Sequence, residues 1–256
     1  MRSLEIPLMK HAEFQFYAEL IDFLDESRKD RSVIYSFKGC PAVKDSIEAL
    51  GVPHVEVDAI LVNGVSVDFT CQLQDGDCVS VYPASRKCNL SKFIKLLPAP
   101  QPEMRFVLDV HLGFLAGKLR MLGFDTLYCN DYNANEIVEI SVNNNRTILT
   151  HDRGILMRKI VSHGYWIRSM DTEQQLPEVL KHFQLYSKVS AFHRCISCNG
   201  LLKKADKEVI KERLQPKTDC FFDEFFICSD CSQIYWKGSH YYKMKAYIQT
   251  LLHEKS

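Results

Sequence analysis

The stretch MRFVLDVHLGFLAGKLRMLGFDTLYC, residues 104–129, decides the fold. A short apolar run ends at Asp109, and Leu112, Leu115, Leu119 and Leu122 then recur at helical spacing with Lys118 and Arg120 off that stripe. A strand-like TLYC (126–129) closes it. Downstream the alternation continues with a helical NEIVEISV (135–142), a strand TILT (147–150) and a helix expected from about Arg153 to Ser162. Strands alternating with helices predict βαβ units, hence an α/β fold with a parallel sheet covered by helices on both faces. In such sheets ligand sites gather beyond the carboxyl ends of the strands. Asp109 and Asp152 each stand at the predicted end of a strand, which places them on one edge of the sheet.

Upstream, residues 13–82 alternate in the manner of strands at EFQFYAEL, SVIYSFKG, AILVNGVSV and CVSVYP, with a helical AVKDSIEAL after the second. Asn63-Gly64 between two β-rich runs signals a hairpin, because a type I′ turn needs φ > 0 at both central positions. One helix among four or five short strands predicts an α+β domain of β-grasp, or ubiquitin-like, form over 11–84. The chain runs on past Tyr82-Pro83 without a terminal Gly-Gly. The module therefore reads as a docking platform for a protein partner or a brace, and not as a transferable tag or sulfur carrier. Residues 85–103, containing the stiff PAPQP (98–102), have the composition of a linker. The sheet domain is expected over 104–187.

The third segment, 192–246, contains RCISCNG and FFICSDCSQIYWKGSHYY. Cys195, Cys198, Cys228 and Cys231 form two C-x-x-C pairs, each followed by a turn-forming residue. Two such knuckles can close a tetrahedral thiolate site around one structural Zn²⁺, a four-cysteine zinc ribbon. LLKKADKEVIKERLQPK (201–217) would be an arm inserted between them, and the other six cysteines read as ordinary thiols. Ten cysteines without an apolar h-region in MRSLEIPLMKH fit a reducing compartment, cytoplasm or nucleus, with no membrane span expected. The chain of 256 residues balances 32 Lys and Arg against 32 Asp and Glu. Any polyanion site must then be local.

Two readings stand for each acidic candidate. Asp152 and Asp109 can be caps for the helices that follow, since a carboxylate accepts orphan backbone N–H groups. Both can equally be ligands converging from separate strands on a divalent metal, with Glu136 as a third. Glu136 otherwise is a favourable charge near a helix start capped by Asn135. Asp131, Glu139 and Asp171 are weaker candidates. Tyr235, Trp236, Tyr241 and Tyr242, interleaved with Lys237, Lys243 and Lys245, can stack on bases beside phosphate-binding ammoniums, or can simply cover a small ribbon. The lysines and Arg213 of the inserted arm form either a local basic face or a solvated helix.

FVLDVHLGFLAGKLRMLGFD, ILTHDRGIL, RCISCNG and IYWKGSH together resemble the Mut-seven C-terminal family, whose core is a PIN-like ribonuclease domain followed by a zinc ribbon. The β-rich segment is similar to the ubiquitin-like domain that precedes this core in many members. The resemblance implies a metal-dependent ribonuclease in which Asp109 and Asp152 hold Mg²⁺ or Mn²⁺ and Glu136 is a ligand or orients water. RNA, in single-stranded form, is the implied substrate. Lys118, Arg120 and Arg153 are then either phosphate contacts or plain surface charges, and Trp236, Lys237 and Tyr241 are RNA contacts on the ribbon. The alternative is an RNA-binding or ribonucleoprotein adaptor that keeps the fold with weak or no catalysis.

Overall fold

The computed structural model describes residues 8–28, 32–83, 93–98 and 103–253. Contacts divide the chain into two units, Met1–Pro102 with Asp152–Trp166 and Glu103–His151 with Ile167–Ser256.

In the first unit the alternating runs become β1 (Lys10–Phe16), β2 (Val33–Phe37), β3 (Val57–Val62), β4 (Val65–Val67) and β5 (Asp77–Pro83), with α1 (Val43–Ala49) between β2 and β3. The order is β2-β1-β5-β3-β4. Central β1 runs antiparallel to β2 and parallel to β5, which gives the β-grasp arrangement. Alternate residues Phe14 and Phe16 of β1, with Val79 and Val81 of β5, turn to one face, where Val43 and Ile47 of α1 close the core. Asn63 and Gly64 have φ of 52° and 80°, the doubly left-handed turn that the hairpin required.

Part of the expected linker lies on this sheet. Leu96 N–H donates to the Asp58 carbonyl at 2.8 Å and Ile94 N–H to Ser66 Oγ at 2.8 Å. Cys88 and residues 99–102 of PAPQP lie outside the described residues.

The same unit includes α4 (Arg153–Leu156) and β9 (Gly164–Trp166). The helix expected to reach Ser162 stops at Leu156, with Met157 as its C-cap. Tertiary contacts override the helical pattern there. Val161 is buried, and its carbonyl is 2.9 Å from His54 Nε2. Trp166 N–H donates to Glu56 at 2.7 Å.

In the second unit β6 (Arg105–Leu108) runs parallel to β7 (Asp125–Leu127) and to β8 (Thr147–Thr150). Phe106, Val107 and Leu108 are all buried, as the centre of a sheet covered on both faces demands. Between β6 and β7 lies α2 (Gly113–Met121), and the stripe Leu112, Leu115, Leu119 and Leu122 is fully buried. Next come α3 (Ala134–Asn144) and α5 (Thr172–His182), the latter packed on α2.

The ribbon is an antiparallel sheet of order β10-β11-β12, from β10 (Leu202–Ala205), β11 (Phe225–Cys228) and β12 (Ile234–Trp236). Its inserted arm contains α6 (Lys207–Ile210) and α7 (Pro216–Phe221). A terminal helix, α8 (Ser239–His253), follows β12. Among the described residues no helix is long and apolar enough to cross a membrane.

Candidate active edge and metal centre

Asp109 is the first residue beyond β6, where Leu108 pairs with Leu149 of parallel β8. The two strands therefore leave the sheet at the same end. Asp109 is only 4% exposed, and both of its carboxylate oxygens are engaged in local order. Oδ1 accepts from His111 N–H at 2.8 Å, capping the turn Val110–Leu112. Oδ2 accepts from the Thr150 hydroxyl at 2.5 Å and from His151 N–H at 2.8 Å. One carboxylate thus ties the end of β6 to the end of β8. A carboxylate offers about four lone-pair positions, so about one remains for a further partner such as a cation.

The other acidic candidates also sit at helix starts. Glu136 lies at the third position of α3; its Oε2 accepts from Asn133 N–H at 2.8 Å while Asn133 Oδ1 accepts from Glu136 N–H at 3.2 Å. This reciprocal capping box makes Asn133 the cap, where Asn135 was expected. Asp152 caps α4 by accepting from Gly154 N–H at 2.8 Å. Asp171 caps α5 through Glu173 N–H, and Asp131 and Glu139 are exposed.

The three basic candidates outside the ribbon are all engaged. Arg120, 4% exposed, donates to the carbonyls of Thr126, Ile196 and Ser197 at 2.7–3.1 Å. Burial holds its guanidinium below the usual arginine range. A guanidinium enclosed by carbonyls ties α2 to the strand end and to the first knuckle. Arg153 lies in the first unit, over the Trp166 ring at 4.1 Å and the Phe23 ring at 5.1 Å, and donates to the Phe23 carbonyl at 2.8 Å. Those contacts pack it against the two rings. Lys118 pairs with Glu173 at 2.8 Å and lies over the rings of Phe114 and Tyr247.

The thiol centre is built by two equivalent knuckles. Cys195 N–H donates to the Gly200 carbonyl and Asn199 N–H returns to the Cys195 carbonyl; Cys228 with Gln233, and Ser232 with Cys228, repeat both bonds at the same spacing. Asn199 and Ser232, each just after the second cysteine of its pair, have φ of 78° and 59°. Gly200 is required by close approach, since a Cβ there would lie 2.7 Å from Cys228 Sγ. All four sulfurs lie within 4.8 Å of one another, with Cys195–Cys231 at 3.6 Å and Cys198–Cys228 at 3.4 Å. Thiolates at about 2.3 Å around a tetrahedral Zn²⁺ would be about 3.8 Å apart, so the set fits that ion. Among the described residues this is the group of three or more His, Cys, Asp or Glu ligand atoms gathered tightly enough for a metal.

Thiol acidity follows from the crowding. Burial pushes Cys198 up to about 12. Burial would raise Cys195 as well, but hydrogen bonds from Tyr235 and from the Cys198 backbone bring it down to about 7. A divalent cation lets all four bind as thiolates.

The ribbon is fastened to the β7 end of the parallel sheet. Asn199, the left-handed residue of the first knuckle, accepts from Thr126 N–H at 2.9 Å and donates to Asp125 at 2.8 Å. Asp125 also pairs with Arg146 at 2.7 Å and Arg194 at 3.7 Å. Burial alone would raise its carboxyl, but hydrogen bonds from Arg146 and Asn199 outweigh it and hold Asp125 below the usual carboxylate range. On the outer face Trp236 is 38% exposed, Lys237 pairs with Glu224 at 2.6 Å, and Tyr241 packs on Phe192 with ring centroids 4.7 Å apart. In the inserted arm Lys207 pairs with Asp219 and Asp223, which favours the solvated reading of that segment.

The family model described as Mut7-C RNAse domain matches residues 104–248, and the one described as Mut7-C ubiquitin matches residues 9–89. The chain belongs to the Mut7-C family. No curated protein matches it. The Mut7-C RNAse match takes in both the parallel sheet and the thiol ribbon, in keeping with the bonds that join them, and it gives the chain a ribonuclease-type domain. The Mut7-C ubiquitin match covers the β-grasp sheet.

Sequence reasoning missed Thr150, His151, Asp125 and Asn199. Thr150 had a signal, a hydroxyl ending an apolar strand two residues before Asp152. Asn199 had one too, as the residue after a C-x-x-C pair. Asp125 and Arg146 carried none, because their pairing spans 21 positions.

Proposed function

We propose that this Mut7-C protein is a metal-dependent ribonuclease whose active edge is centred on Asp109, with Asp152 and Glu136 as the further carboxylates. The observation that carries the reading is the position of Asp109: a buried carboxylate at the carboxyl end of the central strand of a parallel sheet, inside a Mut7-C RNAse domain. Carboxylate oxygens are the hard donors that Mg²⁺ and Mn²⁺ take. Asp109 and Asp152 would hold that ion, which supplies a water nucleophile at neutral pH and charge stabilisation at the phosphate. Glu136, exposed at the start of α3, is placed as a ligand or a water-orienting base. The four thiols hold a structural Zn²⁺, since four thiolates leave no open position for water. Single-stranded RNA is the substrate and the ubiquitin-like domain docks a protein partner, in the cytoplasm or nucleus.

A second reading, an RNA-binding adaptor without useful catalysis, is favoured by one observation. Asp109, Glu136 and Asp152 all serve as helix caps or capping-box members. Cleavage of end-labelled single-stranded RNA by the purified protein, with Mg²⁺ or Mn²⁺ added or withheld, separates the two. Metal-dependent cleavage that is lost in Asp152→Asn supports the ribonuclease. RNA binding with no cleavage in either metal supports the adaptor.

A further inference from the structure

We infer that the cavity between the ribbon sheet and α8 is a subsite for one unstacked nucleobase of single-stranded RNA, which rests on the RNA-substrate reading above and deepens it. The cavity is about 240 Å³ and is lined by Phe192, Arg194, Tyr235, Trp236, Tyr241 and Met244 among others. Sites for drug-sized ligands run from about 300 to 1,000 Å³, so this one takes a single flat ring system. Phe192, Phe226, Tyr235, Trp236 and Tyr241 give it aromatic walls beside aliphatic ones. Base stacking on such rings tolerates any sequence, because every base presents a π-face. Trp236 is 38% exposed, and its indole lies 6.4 Å from the Phe222 ring, tilted by 49°.

Charge selects a polyanion over an apolar peptide. Residues 231–253 contain no Asp or Glu and carry Lys237, Lys243 and Lys245, in a chain whose formal net charge is zero. Lys237 is held by Glu224; Lys243 and Lys245 lie on α8. Two residues apart on a helix, they project to different sides, so a backbone of phosphates passing the cavity would meet Lys243, which lines the neighbouring cavity, while its base entered this one. This combination of ring walls and flanking cations is what sequence-tolerant single-strand binding uses.

A second cavity of about 460 Å³ shares Ile196 and Met244 with the first, and its wall includes Gly113, Phe114, Lys118, Glu173 and Lys243. Gly113 begins α2, immediately after the turn that Asp109 caps.

The test compares binding of hexauridylate and of an abasic hexamer of equal charge by fluorescence anisotropy, using zinc-replete full-length protein without Mg²⁺ or chelator. The expected result is that the abasic ligand binds about 5- to 150-fold more weakly, the range for loss of one stacked base. In Trp236→Ala, with zinc content unchanged, hexauridylate should lose that advantage while the abasic ligand binds as before. Equal affinity of the two ligands for the unaltered protein overturns the inference, and so does no binding of either. An equal loss for both ligands in Trp236→Ala overturns it too, because the contact would then be to backbone or fold. If Trp236→Ala loses zinc, the comparison of ligands on the unaltered protein decides alone. Base-dependent binding here, with no cleavage in the separate assay supplied with Mg²⁺ or Mn²⁺, leaves the subsite standing and defeats the ribonuclease; cleavage in that assay without base-dependent binding here does the reverse.

Discussion

The thiol centre and the carboxylate edge are both places where ligand-type side chains meet the end of a strand, yet they are built on opposite principles. Cys195, Cys198, Cys228 and Cys231 converge on one another: paired knuckles aim four sulfurs to within 4.8 Å, and a cation is what makes the arrangement favourable. Asp109, Glu136 and Asp152 each already satisfy backbone donors at a helix start. A helix start is where both a cap and an anion-handling site arise from the same unpaired N–H groups. Convergence of thiols therefore makes a donor set that could hold a metal visible in the geometry, whereas capped carboxylates need a functional measurement to separate their two roles.

The largest expected effect lies on the thiol side of this comparison. Cys228→Ser should release zinc and unfold the ribbon, because structural zinc sites carry about 10–16 kcal/mol of apparent binding energy in small peptides. The loss should spread to the β7 edge through Asn199, which bonds both Thr126 and Asp125. Elemental analysis and amide exchange check this. Full protection of residues from 192 onward in a zinc-free variant would break the contrast between the two sites.

Next in size is Asp125→Asn. Removing one partner of a mostly buried pair leaves Arg146 uncompensated, at a cost on the order of 3 kcal/mol. Because its pairing holds Asp125 below the usual carboxylate range, the sign of the pH effect is fixed. The stabilisation is present above the unfolded value of about 3.9 and is lost as pH falls through the lower folded value. Melting temperature should drop less steeply in the variant than in the unaltered protein across that acid window. Parallel slopes would mean that Asp125 does not carry the fastening of the ribbon.

Much of this architecture was legible because its signals are short-range. Leu112, Leu115, Leu119 and Leu122 recur at helical spacing, and all four are buried. Asn63-Gly64 names its own turn, and each C-x-x-C pair names its own knuckle. What could not be read depends on partners far apart in sequence. The carbonyls of Ile196 and Ser197 hold Arg120, and the rings of Phe23 and Trp166 hold Arg153, partners that the sequence around either arginine does not announce. The helix after Asp152 failed for the same reason, since His54 meets the Val161 carbonyl from 107 positions away.

Asp109→Asn should cost about 1–3 kcal/mol, the usual penalty for leaving a buried group unsatisfied. An amide can still accept from His111, but its NH₂ would then face the His151 N–H that Oδ2 now accepts. Loss of cleavage in this variant thus mixes stability with chemistry. Chemical denaturation alongside the cleavage assay separates them: an unchanged midpoint would mean that the carboxylate is not the tie between β6 and β8.

Asp152→Asn should have the smallest effect on stability and therefore gives the sharpest test. Its carboxylate caps α4 through Gly154 N–H, and Asn caps a helix about as well as Asp. The side chain is also exposed, so the amide remains solvated and no buried group is orphaned. A residue that only caps would then tolerate the change in both fold and activity. A residue that holds a divalent ion loses its anionic charge, and cleavage should fall by orders of magnitude while the melting temperature, zinc content and RNA affinity stay near those of the unaltered protein. If Mg²⁺-dependent cleavage persists at the original rate, Asp152 is a cap alone, and the catalytic carboxylates must be sought elsewhere on the edge that Asp109 organises.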